Sequence, residues 1–144
     1  SYWKESDWRR TTTSKLILLN ILYVALGGSI GATLRFSCFL LFKNFLSLNY
    51  IFISTFLVNT IGSFLIGYTI FLLESKNITQ DFIKYFIIIG ILGSFTTFST
   101  FSLESVGMLV DKKLFQAFLY MFFSLSLCLI FTYIGLNINK IINW

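Results

Sequence analysis
Histidine and proline are absent from these 144 residues, cysteine occurs twice, and only six residues are acidic. Without histidine, and with its acids scattered singly, the chain offers no cluster of the kind that carries catalysis at a lipid interface. Cys38 and Cys128 both fall inside apolar runs, where a free thiol behaves as a small hydrophobe. They form neither a disulfide framework nor a metal-ligand spacing. Charge is scarce, at 12% of residues against about 25% in a soluble domain. Too little polar surface remains to cover a water-exposed globule. The net charge of +5 gathers in the tail and at the ends of apolar runs, with no basic patch on a soluble surface. That pattern suits anionic headgroups and excludes nucleic acid as a partner.

What the chain does have is apolar length. Hydrophobic residues make up 56% and aromatic residues 19%. Four runs hold most of them: 16–42, 50–73, 84–110 and 114–138. Each exceeds the roughly 20 residues that a helix needs to cross a hydrocarbon core about 30 Å thick. The expected fold is an all-α integral membrane domain of four transmembrane helices over residues 15–144, behind a polar basic tail at 1–14. The first run is longer than a signal peptide's apolar region, and no small-residue cleavage pattern follows it, so it reads as a retained span. Seven basic residues (Lys4, Arg9, Arg10, Lys15, Lys76, Lys84 and Lys140) would share one side of the membrane. Four (Arg35, Lys43, Lys112 and Lys113) would take the other. Four of the seven lie in the tail or directly at its end, and without them the bias disappears.

The polar residues fall in stripes. Gly27, Gly31 and Arg35 are four apart in the first run; Thr55, Asn59, Ser63 and Gly67 in the second; Tyr120, Ser124, Cys128 and Thr132 in the fourth. Residues four apart stack on one helix face, so each of these spans turns a small or polar stripe inward. Close packing alone accounts for the glycines. Asn59 needs more, because an amide buried unpaired near the middle of a span costs several kcal/mol. Arg35 has two readings: its stem snorkels to the interface, or its charge attracts anions at an aqueous vestibule.

The third run carries GILGSFTTFSTFSLE, from Gly90 to Glu104. Two glycines and a crowd of hydroxyls suit a helix that unwinds briefly at protein depth, with a continuous hydroxyl-rich helix as the alternative. Unwinding would free backbone carbonyls, which are hard ligands for a small cation, and would start a new helix whose first amides favour anions. Phe98 and Phe101 lie three apart; such a pair commonly just packs, but ring edges carry partial positive charge and can also face an anion. Glu104, one turn beyond Thr100, is expected near the end of its span.

These motifs together resemble the Fluc (CrcB) fluoride channels over nearly the whole length beyond the tail. Span one reads GGSIGATLRF, similar to the family's GGxxGAxxRY. Span two reads STFLVNTIGSFLIG, similar to GTLxxNxxGxFxxG, and span three carries the family's most specific string, TTFSTF. Span four fits a looser Y-x-x-x-S through Tyr120 and Ser124. The resemblance implies passive, fluoride-selective efflux across the plasma (inner) membrane through two narrow pores in an antiparallel, dual-topology dimer. It implies a structural sodium ion held by backbone carbonyls of Gly93 and Thr96. It places Asn59, Phe98, Phe101, Ser99, Thr100, Ser124 and Arg35 along the fluoride pathway. Ser94 and Ser54 stand where the family pattern has glycine. The basic tail favours one orientation, so the partner is either a second copy or an oppositely oriented paralogue. A four-span multidrug carrier would need an embedded carboxylate, which spans one and two lack; a lipid enzyme would need clustered His, Asp, Glu or Cys, and a pure scaffold fits the hydroxyl-rich third span poorly.

Overall fold
In hydrocarbon a backbone must satisfy its own hydrogen bonds, and within a single segment only a helix does so. The computed structural model describes residues 14–76 and 81–142. The expected tail, apart from Ser14, lies outside the described residues. Helix α1 covers Ser14–Phe45; a 3-10 turn at Leu48–Tyr50 leads into α2, Phe52–Ser75. A π-helical segment, Ile83–Leu92, runs into one α turn, Gly93–Phe95 (α3), and then α4, Phe98–Val110. Helix α5 covers Leu114–Leu136, and a short α6, Ile138–Ile142, follows. Four stretches are long and apolar enough to cross a membrane: Ser14–Phe45, Leu48–Ser75, Ile83–Val110 and Leu114–Leu136. The chain is thus a multi-pass membrane protein. The first span outruns its apolar stretch at both ends, since Lys15, Lys43 and Asn44 extend a helix into the headgroup layer without penalty.

The spans pair unequally. Helix α1 packs along the π segment and α3, while α2 packs along α5. Span three changes partners on the way: its first half lies on α1, and α4 leans on α5 and α2. Glycine permits the first pairing. A Cβ on Gly27 or Gly31 would collide with the carbonyl oxygens of Phe86 and Ile91, so these backbones touch directly.

Thr96 and Thr97 stand between α3 and α4 with extended dihedrals, φ −79°, ψ 155° and φ −150°, ψ 116°. At the far end, α4 closes on Lys112, whose φ is 59°. The Lys112 N–H donates to Leu109 and the Lys113 N–H to Met108, a Schellman ending with lysine at the position glycine usually takes.

The interior is small. Phe101, Met108, Ala117 and Tyr120 form the main cluster, edged by Phe52, Phe56 and Met121. Only 17–28% of each span's most apolar window is buried. Large side chains such as Leu129, Phe115 and Leu103 face outward, which is stable against acyl chains or another protein surface, not against water.

Candidate functional site
An α-helix continued through residue 97 would pair the Thr97 N–H with the Gly93 carbonyl. That N–H instead donates to Asn59 Oδ1 at 2.7 Å, and Asn59 Nδ2 donates to the Thr97 carbonyl at 2.9 Å. One side-chain amide on α2 therefore satisfies both backbone groups of an extended residue, as a neighbouring β-strand would. The Gly93 carbonyl is left without its helical donor. Gly62, on the same side of α2, lies so close to the Thr96 methyl that a Cβ there would overlap it.

Thr97 also opens α4. Its hydroxyl accepts from the Thr100 N–H at 3.2 Å, donates to Thr100 Oγ1 at 3.1 Å, and lies 3.2 Å from Ser99 Oγ. An N-cap threonine is worth about 1 kcal/mol. Here it gives α4 a defined start at membrane depth.

Two cavities flank Thr97. The larger, about 360 Å³, is lined by Asn59, Thr96, Phe98, Phe101, Ser124 and Cys128, among others. The Phe98 and Phe101 rings are 5.4 Å apart and tilted by 51°. Phe101 is buried, whereas Phe98 is 70% exposed on the single chain. Ser124 is buried, and its hydroxyl has no hydrogen-bond partner among the described residues. The second N–H of Asn59 likewise meets no acceptor among the described residues. The smaller cavity, about 210 Å³, is lined by Arg35, Ser54, Thr55 and Thr100 with Phe36 and Phe39. Arg35 pairs with none of the described residues, and the cavity it lines mixes hydroxyls with apolar side chains.

The seven expected pathway residues thus do not share one chamber. Asn59, Phe98, Phe101 and Ser124 line the larger cavity, and Arg35 and Thr100 the smaller. Ser99 is exposed and lines neither, bound instead into the Thr97 cap. Gly93 is exposed and Thr96 half-buried, both on the flank of the interruption.

Glu104 joins three spans. Its span runs six residues beyond it, to Val110, and its carboxyl accepts from Thr55 Oγ1 at 2.8 Å and Tyr120 Oη at 2.7 Å. Both donors head the polar stripes of spans two and four. The stripes were visible in sequence, but not that their first members converge on a third helix. Thr97 counts in the sequence only as one hydroxyl of the third span; the signal for its capping role is a threonine directly before a helix-forming run, the ordinary N-cap pattern.

A family model described as CrcB-like protein, Camphor Resistance (CrcB), matches residues 22–136. A protein of Campylobacter hominis named fluoride-specific ion channel FluC is 43% identical over 123 residues, covering 85% of this chain and 97% of the relative. Proteins of the same name from Flavobacterium psychrophilum and Shewanella halifaxensis are 38% and 42% identical, over 83% and 81% of this chain and 96% and 92% of theirs. These relatives are channels rather than enzymes by name. Because the match runs unbroken from within the first span to the end of the fourth, the chain belongs to the CrcB-like family.

Proposed function
We propose that this chain is a fluoride-selective channel that lets fluoride leave the cell passively across the plasma membrane. The observation that carries the reading is the unpaired hydroxyl of Ser124, buried in the same cavity as the spare N–H of Asn59 and the Phe98–Phe101 pair. A buried donor without a partner costs about 1–3 kcal/mol, and an anion in that cavity would remove the cost. Fluoride is small and holds its water tightly, so a route must replace that water with donors. Ser124, Asn59 and the electropositive ring edges supply them here. Larger halides are excluded by width. The Arg35 cavity, with Thr100 and Thr55, is the vestibule that gathers anions before this step. Thr97 stands between the two chambers and lines both.

The unit that conducts is an antiparallel dimer with two pores, formed with a second copy or an oppositely oriented paralogue. Phe98, 70% exposed, would then be covered by the facing chain. A structural sodium ion fits the interruption of span three, where Gly93's carbonyl has lost its helical donor and Thr96 is extended. These carbonyls would hold it, and its charge would screen the anions on either side.

Purified chain in liposomes loaded with fluoride should release it when tested with a fluoride electrode. Release no faster than from empty vesicles, with the fold intact, would remove the channel assignment.

A further inference from the structure
We propose that the smaller cavity binds a small planar oxyanion through Arg35 and Ser54, and that this ion competes with fluoride for entry. The competition rests on the channel reading above, which makes that cavity the vestibule. Ser54 lies in the first turn of α2, at a position where the family pattern has glycine, and is only 3% exposed. Thr60, Ser102 and Ser105 satisfy their hydroxyls on the carbonyl four residues earlier. Ser54 does not. Its hydroxyl has no hydrogen-bond partner among the described residues, and the residue lines the cavity. A hydroxyl buried to this degree is satisfied only by what occupies the cavity beside it. The same cavity holds Arg35, which pairs with none of the described residues. It also holds Thr100, whose hydroxyl accepts from Thr97 and keeps its own proton to donate. Glu104, to which Thr55 donates, is not among the lining residues.

The walls decide which anion fits. Ala32, Phe36, Phe39 and Val58 cannot replace water around a strongly hydrated ion. The cavity, about 210 Å³, is also far wider than fluoride, which is close in size to a water molecule at about 30 Å³ in the liquid. Fluoride therefore passes through it with water still attached. A larger, weakly hydrated anion gives up less on entry and fills more of the space. Guanidinium is planar and itself weakly hydrated, and its fork offers two parallel hydrogen bonds to a planar oxyanion. Ser54 and Thr100 add hydroxyl donors for the lone pairs that remain. Such an ion is too wide for the step at Asn59 and Ser124, so it stays in the vestibule and keeps fluoride out.

Nitrate is the probe. Fluoride efflux from liposomes holding the full-length chain is measured at low and high fluoride. Each run contains sodium nitrate or, at equal ionic strength, sodium gluconate, which is too bulky for the cavity. Nitrate should slow efflux roughly twofold or more at low fluoride and leave it unchanged at high fluoride. Ser54→Ala, or Ser54→Gly should the alanine variant fold poorly, should lose the slowing, each compared with its own nitrate-free rate. Arg35→Lys keeps the charge without the fork and should lose it too. No slowing, slowing that high fluoride does not relieve, or slowing that persists without the Ser54 hydroxyl would overturn the proposal. Unfolding midpoints in detergent test the site without flux: nitrate should raise that of the unaltered chain above its value in gluconate, but not that of the Ser54 variants. A chain that releases no fluoride at all removes the channel reading and the competition with it. The midpoints then decide the site alone, a nitrate-specific rise supporting it and no rise refuting it.

Discussion
Asn59 and Ser124 share a cavity, but their substitution should have opposite consequences for stability. Asn59 pairs with both backbone groups of Thr97, so Asn59→Leu strands a half-buried N–H and carbonyl. That should cost about 2–4 kcal/mol, at 1–3 kcal/mol for each stranded group and some relief from added apolar contact. Fluoride flux should fall with it, because the extended geometry of Thr97 would no longer be held. Ser124→Ala removes a hydroxyl that already lacks a partner. Its unfolding midpoint in detergent should stay level or rise, by up to about 1 kcal/mol, while flux falls at least tenfold. A Ser124→Ala protein that conducts normally would show that this hydroxyl touches no ion. The residue types at these positions could be read from spacing alone. Their partners could not, since Asn59 and Thr97 are 38 positions apart and meet only when spans two and three pack.

Among the elements, the third span and its ends have the clearest local logic. Thr97 caps α4 and Gly62 leaves space for Thr96, so the interruption is held from both sides. Gly62→Ala should push the Thr96 methyl aside and lower flux more than it lowers stability, as a comparison of efflux with thermal unfolding would reveal. Lys112 closes α4 in the left-handed region, which costs a non-glycine residue about 1 kcal/mol. Lys112→Gly should therefore stabilise the protein by about 0.5–1 kcal/mol, less the added entropy of the unfolded chain. A midpoint unchanged or lowered would contradict this account of the turn. The π winding of Ile83–Leu92 left no mark in the sequence pattern, because a period near 3.6 cannot be told from a wider one in a run apolar on every side. The contacts of Glu104 with Thr55 and Tyr120 were hidden for a related reason: position along a polar run says little about which face turns inward.

At the scale of the whole molecule, an outward-facing surface this apolar belongs in lipid or against another chain. Cross-linking in membranes should trap a dimer, and labelling of engineered cysteines in the Asp111–Lys113 loop from both sides should report whether one or both orientations occur. Monomer alone, at protein densities where flux is measured, would remove the dimer from the mechanism. Length, hydropathy and the scarcity of charge by themselves determined that four helices cross a membrane, since a backbone in hydrocarbon has few other ways to satisfy itself. The spaced glycines and hydroxyls likewise marked which faces turn inward. Only the packed structure decided that an amide on one helix replaces the broken hydrogen bonds of another, that the polar residues divide between two chambers, and that Glu104 joins three spans. Periodicity acts within a helix, whereas those contacts depend on how far each helix is rotated and shifted against its neighbours, which no single run encodes.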